Sequence, residues 1–182
     1  MRFGEGVAIL AGDALLTEAF RLALGYPNPE PARELAAATL GMIGGQYVDV
    51  TTDGGLDGEG LVHLHELKTG RLLRASVTCA TAVAGLSGAD REPWAEFGAE
   101  LGLLFQIVDD ILDATGTAAE LGKTPGKDEA AGKVTYVSLH GLERARELAD
   151  AARARVNQRL AELPADTMVL AELVATIRDR RA

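Results

Sequence analysis

Apolar residues recur at helical spacing along most of the chain, and no segment shows the alternation that predicts a β-strand. The first predicted helix, 1–25, has an apolar stripe made of Val7, Leu10, Ala11, Ala14, Leu15 and Phe20. A break follows at 26–29, where Asn28 can cap a second helix and Pro29 suits its first position. That helix runs to about Val50, and its glycines indicate a close backbone approach to another helix or a ligand. These glycines are Gly41, Gly44 and Gly45.

The rest of the chain reads as further helices separated by breaks rich in Asp, Gly and Pro. Helices are predicted over 61–85, 93–113, 138–163 and 166–180. The irregular stretch 115–133 is longer than an ordinary connection, so we expect it to be either functional or mobile. The helix over 138–163 is rich in Arg and Glu, which is typical of a solvated outer helix. The pattern as a whole predicts an all-α fold.

One stretch, 102–113, combines an apolar helix with a line of polar side chains. Gln106, Asp109, Asp110 and Asp113 stand at i, i+3, i+4 and i+7 and therefore share one helical face. The other faces are apolar, as in a buried helix, yet buried carboxylates repel each other and lose their hydration. The acidic line therefore faces either water, as a solvated stripe, or a cavity where cations neutralise it. Carboxylates that hold Mg²⁺ against substrate phosphates are the second case.

Composition narrows the class of protein. The 182 residues suit one domain with its own core. The net charge of −9 argues against general nucleic-acid binding, which requires a basic surface. Cys79 is the single cysteine, which excludes a disulfide within these residues and predicts a buried structural thiol. No signal peptide and no run of apolar residues long enough to span a bilayer is recognisable, so we expect a cytoplasmic protein without a transmembrane segment.

Four lysines complement the acids. The only lysines are Lys68, Lys123, Lys127 and Lys133, and each lies in or beside a break. Lysine is a flexible point charge that suits phosphate, and a magnesium–diphosphate site needs acids for the metal and lysines for the remaining negative charge. For each lysine taken alone, simple solvation is the alternative. His63, His65 and His140 are predicted to be structural or surface residues, because two histidines two positions apart point to different helix faces.

Taken in order, these motifs resemble the trans-prenyltransferases of the polyprenyl (farnesyl/geranylgeranyl) diphosphate synthase family. The segment 7–15 is similar to the helix that follows the family's first Asp-rich motif. The other matching segments are Gly45-Gln46-Tyr47-Val48-Asp49, Lys68-Thr69-Gly70, Phe105-Gln106-x-x-Asp109-Asp110-x-x-Asp113, Leu121-Gly122-Lys123 and Gly132-Lys133-x-Thr135-Tyr136. The first of these resembles the family's Gly-Gln-x-x-Asp helix, the second its Lys-Thr-Gly/Ala element and the third its second Asp-rich motif. The last two resemble its lysine-bearing loop.

The resemblance implies an antiparallel helix bundle of the isoprenoid synthase type and a reaction in isoprenoid biosynthesis. That reaction is the Mg²⁺-dependent condensation of isopentenyl diphosphate with an allylic diphosphate. The implied metal ligands are Asp109, Asp110 and Asp113. The residues implied to contact the diphosphate are Lys68, Lys123 and Lys133, and those implied to line the cleft beside the ionising carbon are Thr69 and Gln106.

One departure from the family is serious. The family has two Asp-rich motifs that face each other, whereas Asp109-Asp110 is the only adjacent Asp pair in this sequence. The first motif would lie upstream of Met1, so 1–182 is interpreted as the C-terminal part of a single polyprenyl synthase domain, without its N-terminal helices. We expect this chain alone to turn over poorly and its uncovered apolar faces to favour a homodimer. Two alternatives remain: a non-catalytic partner subunit that modifies a full-length synthase, and a helical bundle whose acidic stripe is merely solvated.

Overall fold

Helices make up all of the regular structure in the residues that the computed structural model describes, 3–52, 55–116 and 133–179. The α-helices of this part of the chain are α1 (Glu5–Leu24), α2 (Glu30–Thr51), α3 (Gly58–His65), α4 (Arg71–Val83), α5 (Glu92–Thr115), α6 (Tyr136–His140), α7 (Leu142–Glu162) and α8 (Met168–Asp179). A π-helical turn, Glu66–Gly70, joins α3 to α4, and a 3₁₀ turn, Gly88–Asp90, precedes α5. The predicted all-α class is confirmed.

Helix α5 is the central element, and it packs against both α4 and α7. Its start agrees with the prediction, since Pro93 lies in its first turn, where the missing N–H costs no hydrogen bond. Its apolar faces form the core together with the C-terminal helices. The buried core residues are Leu61, Phe97, Leu101, Leu104, Ile107, Tyr136, Ala145, Ala152, Val156, Leu160, Leu163, Val174 and Ile177. Burial of each large apolar side chain among them contributes about 1.5–3 kcal/mol, so this core holds α5 in place.

Glycines bring α2 and α5 so close to the π-helical turn that their backbones touch it. A Cβ atom on Gly45 would lie 2.5 Å from the backbone nitrogen of Lys68, and one on Gly102 would lie 2.8 Å from the Cα of Gly70. Neither position has room for a side chain, so the close approach requires glycine. The predicted close approach of the second helix is confirmed at Gly45, whereas Gly44 faces open space.

The predicted helix ends lie within four residues of those in the structure, except near Gly141. The second helix starts as predicted, with the Asn28 side-chain oxygen accepting a hydrogen bond from the Glu30 backbone N–H. The prediction of one continuous helix over 138–163 is wrong, because Gly141 adopts φ 79° and separates α6 from α7. That positive φ ends a right-handed helix. Thr135 and Ser138 then cap α6 reciprocally, each side chain bonding to the other residue's backbone N–H.

The first helix leaves most of its apolar surface open. Helix α1 packs against α2 and buries only Ala23 among its own residues. Large apolar side chains of both helices remain exposed. We call this surface the α1–α2 apolar face, and it consists of Val7, Ile9, Leu10, Leu15, Leu22, Leu24, Leu40, Ile43, Tyr47 and Val50. Exposed apolar surfaces are typical of places where another protein surface packs.

Helix α7 lies on the outside of the bundle, as its charge pattern predicted. Its exposed side carries short-range ion pairs such as Arg144 with Glu147 and Arg146 with Glu143. Its small and apolar residues face α5, with Ala145 and Val156 fully buried. Within the described residues, no helix is both long enough and apolar enough to cross a membrane.

Candidate functional site

The acidic line on α5 is turned into the protein. Gln106, Asp110 and Asp113 are each less than a tenth exposed, and Asp109 is half-buried. A solvated surface stripe would leave these side chains in water, so the structure does not favour that alternative. Buried carboxylates instead require hydrogen-bond donors or cations nearby.

Asp110 receives such donors on both of its carboxylate oxygens. The Gln106 side-chain amide donates to Oδ1 at 3.0 Å, and the backbone N–H of Tyr136 donates to Oδ2 at 2.8 Å. Gln106 is oriented in turn by Thr69, whose hydroxyl donates to the Gln106 carbonyl oxygen at 3.0 Å. These bonds connect the π-helical turn, α5 and the start of α6 through side chains that sequence reasoning had assigned to the site.

A second set of contacts gathers two lysines on one carboxylate. The Nζ atoms of Lys68 and Lys133 lie 2.9 Å and 2.6 Å from the same oxygen, Oδ2 of Asp49. Burial raises the pKa of Asp49, but hydrogen bonds and charges from Lys133 and Lys68 outweigh burial, so that pKa lies below its ordinary value. Asp49 is therefore ionised at neutral pH and forms an ion triad with the two lysines.

Two buried ring side chains, His65 and Tyr136, lie near these contacts, and burial favours the neutral form of each. Burial, followed by the nearby charge of Lys68, lowers the pKa of His65 to about 4, although Asp49 acts in the opposite direction. Burial, followed by the charge of Asp110, raises the pKa of Tyr136 to about 12. The two rings are 5.5 Å apart. His65 is therefore a structural residue, as predicted, while the exposed His63 and His140 lie on the surface.

The oxygen ligands on α5 match the chemistry of Mg²⁺. No three side chains of His, Cys, Asp or Glu converge on one point in the described ranges. Mg²⁺, however, commonly keeps several waters and takes only one or two carboxylates in addition to substrate phosphates. Asp109 and Asp113 are one helical turn apart on the same face and suit that role. Asp110 accepts a hydrogen bond on each of its oxygens, and a carboxylate oxygen also has a second lone pair for a metal.

An apolar cavity opens beside the polar network. It has a volume of about 250 Å³ and is lined by Lys68, Thr69, Leu72, Leu73, Ser76 and Phe105. A larger cavity of about 430 Å³ adjoins it, sharing Leu73 and Ser76, and extends between α4, α5 and α8. Cationic and polar groups at one end of an apolar space suit an amphiphilic ligand with a charged head and a hydrocarbon body.

The structure places most of the predicted site residues in these two networks. Lys68 and Lys133 meet at Asp49, and Thr69 and Gln106 meet beside Asp110. Lys123 lies outside the described residues. Asp49 belongs to the Gly-Gln-x-x-Asp segment, but the sequence alone assigns it no role. A signal was present, because Asp49 is the only charged residue within 35–52 and follows Gly45 by one helical turn.

A family model matches nearly the whole chain. The model, described as polyprenyl synthetase, covers residues 1–177. A chloroplastic heterodimeric geranylgeranyl pyrophosphate synthase large subunit from Arabidopsis thaliana is 44% identical over an alignment of 165 positions, which covers 81% of this chain and 44% of that protein. A chloroplastic geranylgeranyl pyrophosphate synthase from Catharanthus roseus is 42% identical over an alignment of 173 positions, which covers 88% of this chain and 48% of that protein.

The solved structures that resemble this chain have the same architecture. A geranyltransferase from Helicobacter pylori, in complex with magnesium and isoprenyl diphosphate, superposes with a TM-score of 0.74 at 30% identity, covering 98% of this chain and 61% of that one. A polyprenyl synthase from Caulobacter crescentus, in complex with calcium and isoprenyl diphosphate, gives a TM-score of 0.77 at 25% identity, covering 97% and 67%. The chain spans about half the length of the curated relatives it matches.

Proposed function

The chain belongs to the polyprenyl synthetase family, and on that premise we propose that it forms the C-terminal part of an isoprenyl diphosphate synthase domain. The reaction would be the Mg²⁺-dependent condensation of isopentenyl diphosphate with an allylic diphosphate, in isoprenoid biosynthesis. The residues 1–182 would supply one wall of the active site. Because the chain spans about half of its curated relatives, we expect slow or undetectable turnover by these residues alone.

One observation supports this proposal above the others: two neighbouring residues, Lys68 and Thr69, line the apolar cavity and also bond to the ion triad and to the acidic helix. Lys68 belongs both to the ion triad and to the cavity lining. Its neighbour Thr69 bonds to Gln106 on the acidic helix. This arrangement offers cations and metal ligands to a diphosphate and apolar walls to the hydrocarbon attached to it.

The residues would divide the work by their surroundings. Asp109, Asp110 and Asp113 would hold Mg²⁺, and Asp110 would also orient Gln106 through its hydrogen bond. Bound Mg²⁺ would supply charge neutralisation to the departing diphosphate. Lys68, Lys133 and, outside the described residues, Lys123 would take up the remaining negative charge.

The cavity walls would protect the reactive end of the allylic chain. Departure of a diphosphate leaves an allylic cation that water would trap, so the reaction requires a site from which water is excluded. Leu72 and Phe105 line the same cavity as Thr69 and would provide that apolar surface. The Thr69 hydroxyl and the Gln106 amide would be the polar groups nearest the ionising carbon.

Binding of a diphosphate tests the proposal without relying on turnover. The purified 182-residue chain would be titrated calorimetrically with inorganic diphosphate and with a non-hydrolysable allylic diphosphonate, each with and without Mg²⁺. We expect Mg²⁺-dependent binding that is tighter for the ligand with the hydrocarbon. Asp109→Asn should weaken it, while Asp90→Asn, the same change at an exposed site, should leave it unchanged. Absence of any Mg²⁺-dependent diphosphate binding would overturn the proposal.

We further propose that the α1–α2 apolar face packs against a second copy of the chain. Leu10 and Leu15 are among its most exposed members, at 68% and 73%. Sedimentation equilibrium should give a dimer, and Leu10→Glu combined with Leu15→Glu should shift it towards monomer. Leu139→Glu, a change at an exposed leucine outside this face, is the matched control. A monomer at micromolar concentration before any substitution would rule out self-association.

The non-catalytic partner subunit remains the second candidate. One relative is named a heterodimeric large subunit, which makes pairing between unlike chains worth testing. Against a purely structural partner, the chain keeps the lysine pair and the buried Gln106–Asp110 bond, which a scaffold does not need. Co-purification with a complete synthase, together with an altered product length, would favour this candidate.

We also propose a cytoplasmic location for the protein, which cell fractionation would test.

A further inference from the structure

Asp49 binds two lysines that are distant in sequence. Its Oδ2 atom accepts hydrogen bonds from both Lys68 and Lys133, which are 65 residues apart, and its side chain is only 10% exposed. We infer that Asp49 is a positioning residue that holds Lys68 and Lys133 together as one paired cation for a diphosphate. The inference rests on the proposed function, but the geometry of the triad can be tested separately.

The backbone brings Lys68 to this position. Lys68 lies within the π-helical turn Glu66–Gly70, and its backbone nitrogen is pressed against Gly45 on α2. Asp49 is one helical turn beyond Gly45 on the same helix, so the contact that brings the two helices together also places Lys68 within reach of Asp49. π-Helical turns inside α-helices are found frequently at functional sites because they re-aim side chains.

Two ammonium groups in such proximity require a shared acceptor. Both Nζ atoms lie within hydrogen-bond distance of one oxygen, so they are only a few ångströms from each other. Like charges at that separation repel each other, and each lysine has enough rotamer freedom to move away. The described residues offer no other carboxylate in contact with these two lysines. Asp49 is therefore what holds the pair together.

The lysines retain the capacity to bind a ligand. Each ammonium group has three donors, and the triad uses one from each lysine. Their side chains are 25% and 33% exposed, compared with 10% for Asp49, so the cations face outwards and the anion lies beneath them. The triad carries a net charge of +1, which still attracts a diphosphate.

Removal of the Asp49 charge distinguishes positioning from simple electrostatics. Asp49→Asn makes the local charge more positive by one, and on charge alone a diphosphate would bind more tightly. If Asp49 acts by positioning, the same variant binds more weakly, by about tenfold, because the lysines must be ordered again at the moment of binding. The two accounts therefore predict opposite signs.

Calorimetric titration with inorganic diphosphate and Mg²⁺ gives that sign. The variants are Asp49→Asn, Asp49→Glu as the conservative rescue, and Asp90→Asn as the charge-matched control on an exposed turn. We expect Asp49→Asn to bind about tenfold more weakly, Asp49→Glu to recover part of the loss, and Asp90→Asn to match the unaltered chain. Unchanged or tighter binding by Asp49→Asn overturns the inference.

Lysine ammonium NMR decides the same point without any ligand. The chain has four lysines, so ¹⁵N spectra of its side-chain NH₃⁺ groups are simple to assign with Lys→Arg variants. In the unaltered chain we expect Lys68 and Lys133 to give slowly exchanging signals that both disappear in Asp49→Asn. Persistence of either signal overturns the inference. If the unaltered chain binds no diphosphate, the proposed function fails, and the NMR result still decides the role of Asp49.

Discussion

Gln106 and Asp110, one turn apart on α5, are joined by a buried hydrogen bond of 3.0 Å between the amide nitrogen and Oδ1. The Tyr136 backbone N–H occupies the other carboxylate oxygen. Asp110 therefore ties α5 to α6, whereas its neighbour Asp109 is only half-buried. Adjacent aspartates in one motif thus have different physical roles.

That difference predicts that the same substitution affects stability at one aspartate and ligand binding at the other. In Asp110→Asn one of the two donors would meet an NH₂ group in place of an oxygen, so we expect a loss of about 1–3 kcal/mol in the free energy of unfolding. Asp109→Asn should change it by no more than about 0.5 kcal/mol while weakening Mg²⁺-dependent diphosphate binding. Urea denaturation of both variants measures the first quantity and calorimetry the second. Equal destabilisation by the two substitutions would contradict these separate roles.

The glycine pair on α2 offers a second prediction. Gly45→Ala would place a Cβ 2.5 Å from the Lys68 backbone nitrogen, so α2 and the π-helical turn must separate. Such overpacking costs about 1–3 kcal/mol. The adjacent control, Gly44→Ala, meets nothing within 4 Å and should stabilise the protein by about 0.5–1 kcal/mol, because alanine favours a helix interior. Thermal unfolding distinguishes them, and a stable Gly45→Ala variant would show that the contact is dispensable.

Acidification should destabilise the fold through His65. Its pKa of about 4 in the folded protein lies below the ordinary value of 6.5, so the unfolded chain binds more protons as the pH falls. The contribution of His65 to the free energy of unfolding is therefore fully present above pH 6.5. It is lost as the pH falls below that value, and the loss reaches about 3 kcal/mol once the pH is under 4. The lowered pKa of Asp49 acts in the same direction, but only at pH values below the ordinary pKa of an aspartate.

The substitution His65→Gln isolates this contribution, since glutamine is polar but does not titrate. Urea denaturation at pH 7, 5.5 and 4.5 should give a steeper decline for the unaltered chain than for the variant. Parallel declines would mean that His65 is not the group responsible.

Arg91 joins three helices at the end of the bundle. Its guanidinium donates to Glu34 on α2 at 3.2 Å and to the Thr78 carbonyl on α4 at 3.1 Å, from a position at the start of α5. Arg91→Ala should therefore lower the free energy of unfolding by about 1–2 kcal/mol. Arg21→Ala, which removes an exposed pair with Glu18 on α1, should have little measurable effect. Similar effects of the two substitutions would argue against an anchoring role for Arg91.

Much of the fold follows from the sequence because its signals are local. Helical spacing of apolar residues, the Asn28 cap and Pro93 set the helices nearly where the structure has them. The same holds for the identity of the chemical groups at the site, since Gln106 and the three aspartates share one face by their spacing alone. Periodicity and capping act within a few residues, so a single segment carries enough information to predict them.

The features that only the tertiary structure decided depend on contacts between residues that are far apart in the sequence. Asp110 became a buried hydrogen-bond acceptor because α6 presents the Tyr136 N–H to it, and the spacing on α5 does not distinguish Asp110 from Asp109. Asp49 gained its role because Lys133 arrives from 84 residues away. Gly141, which the sequence allows inside a helix, became a break through its positive φ. Each outcome depends on contacts between segments, and a carboxylate or a glycine takes its role from the neighbours that packing supplies.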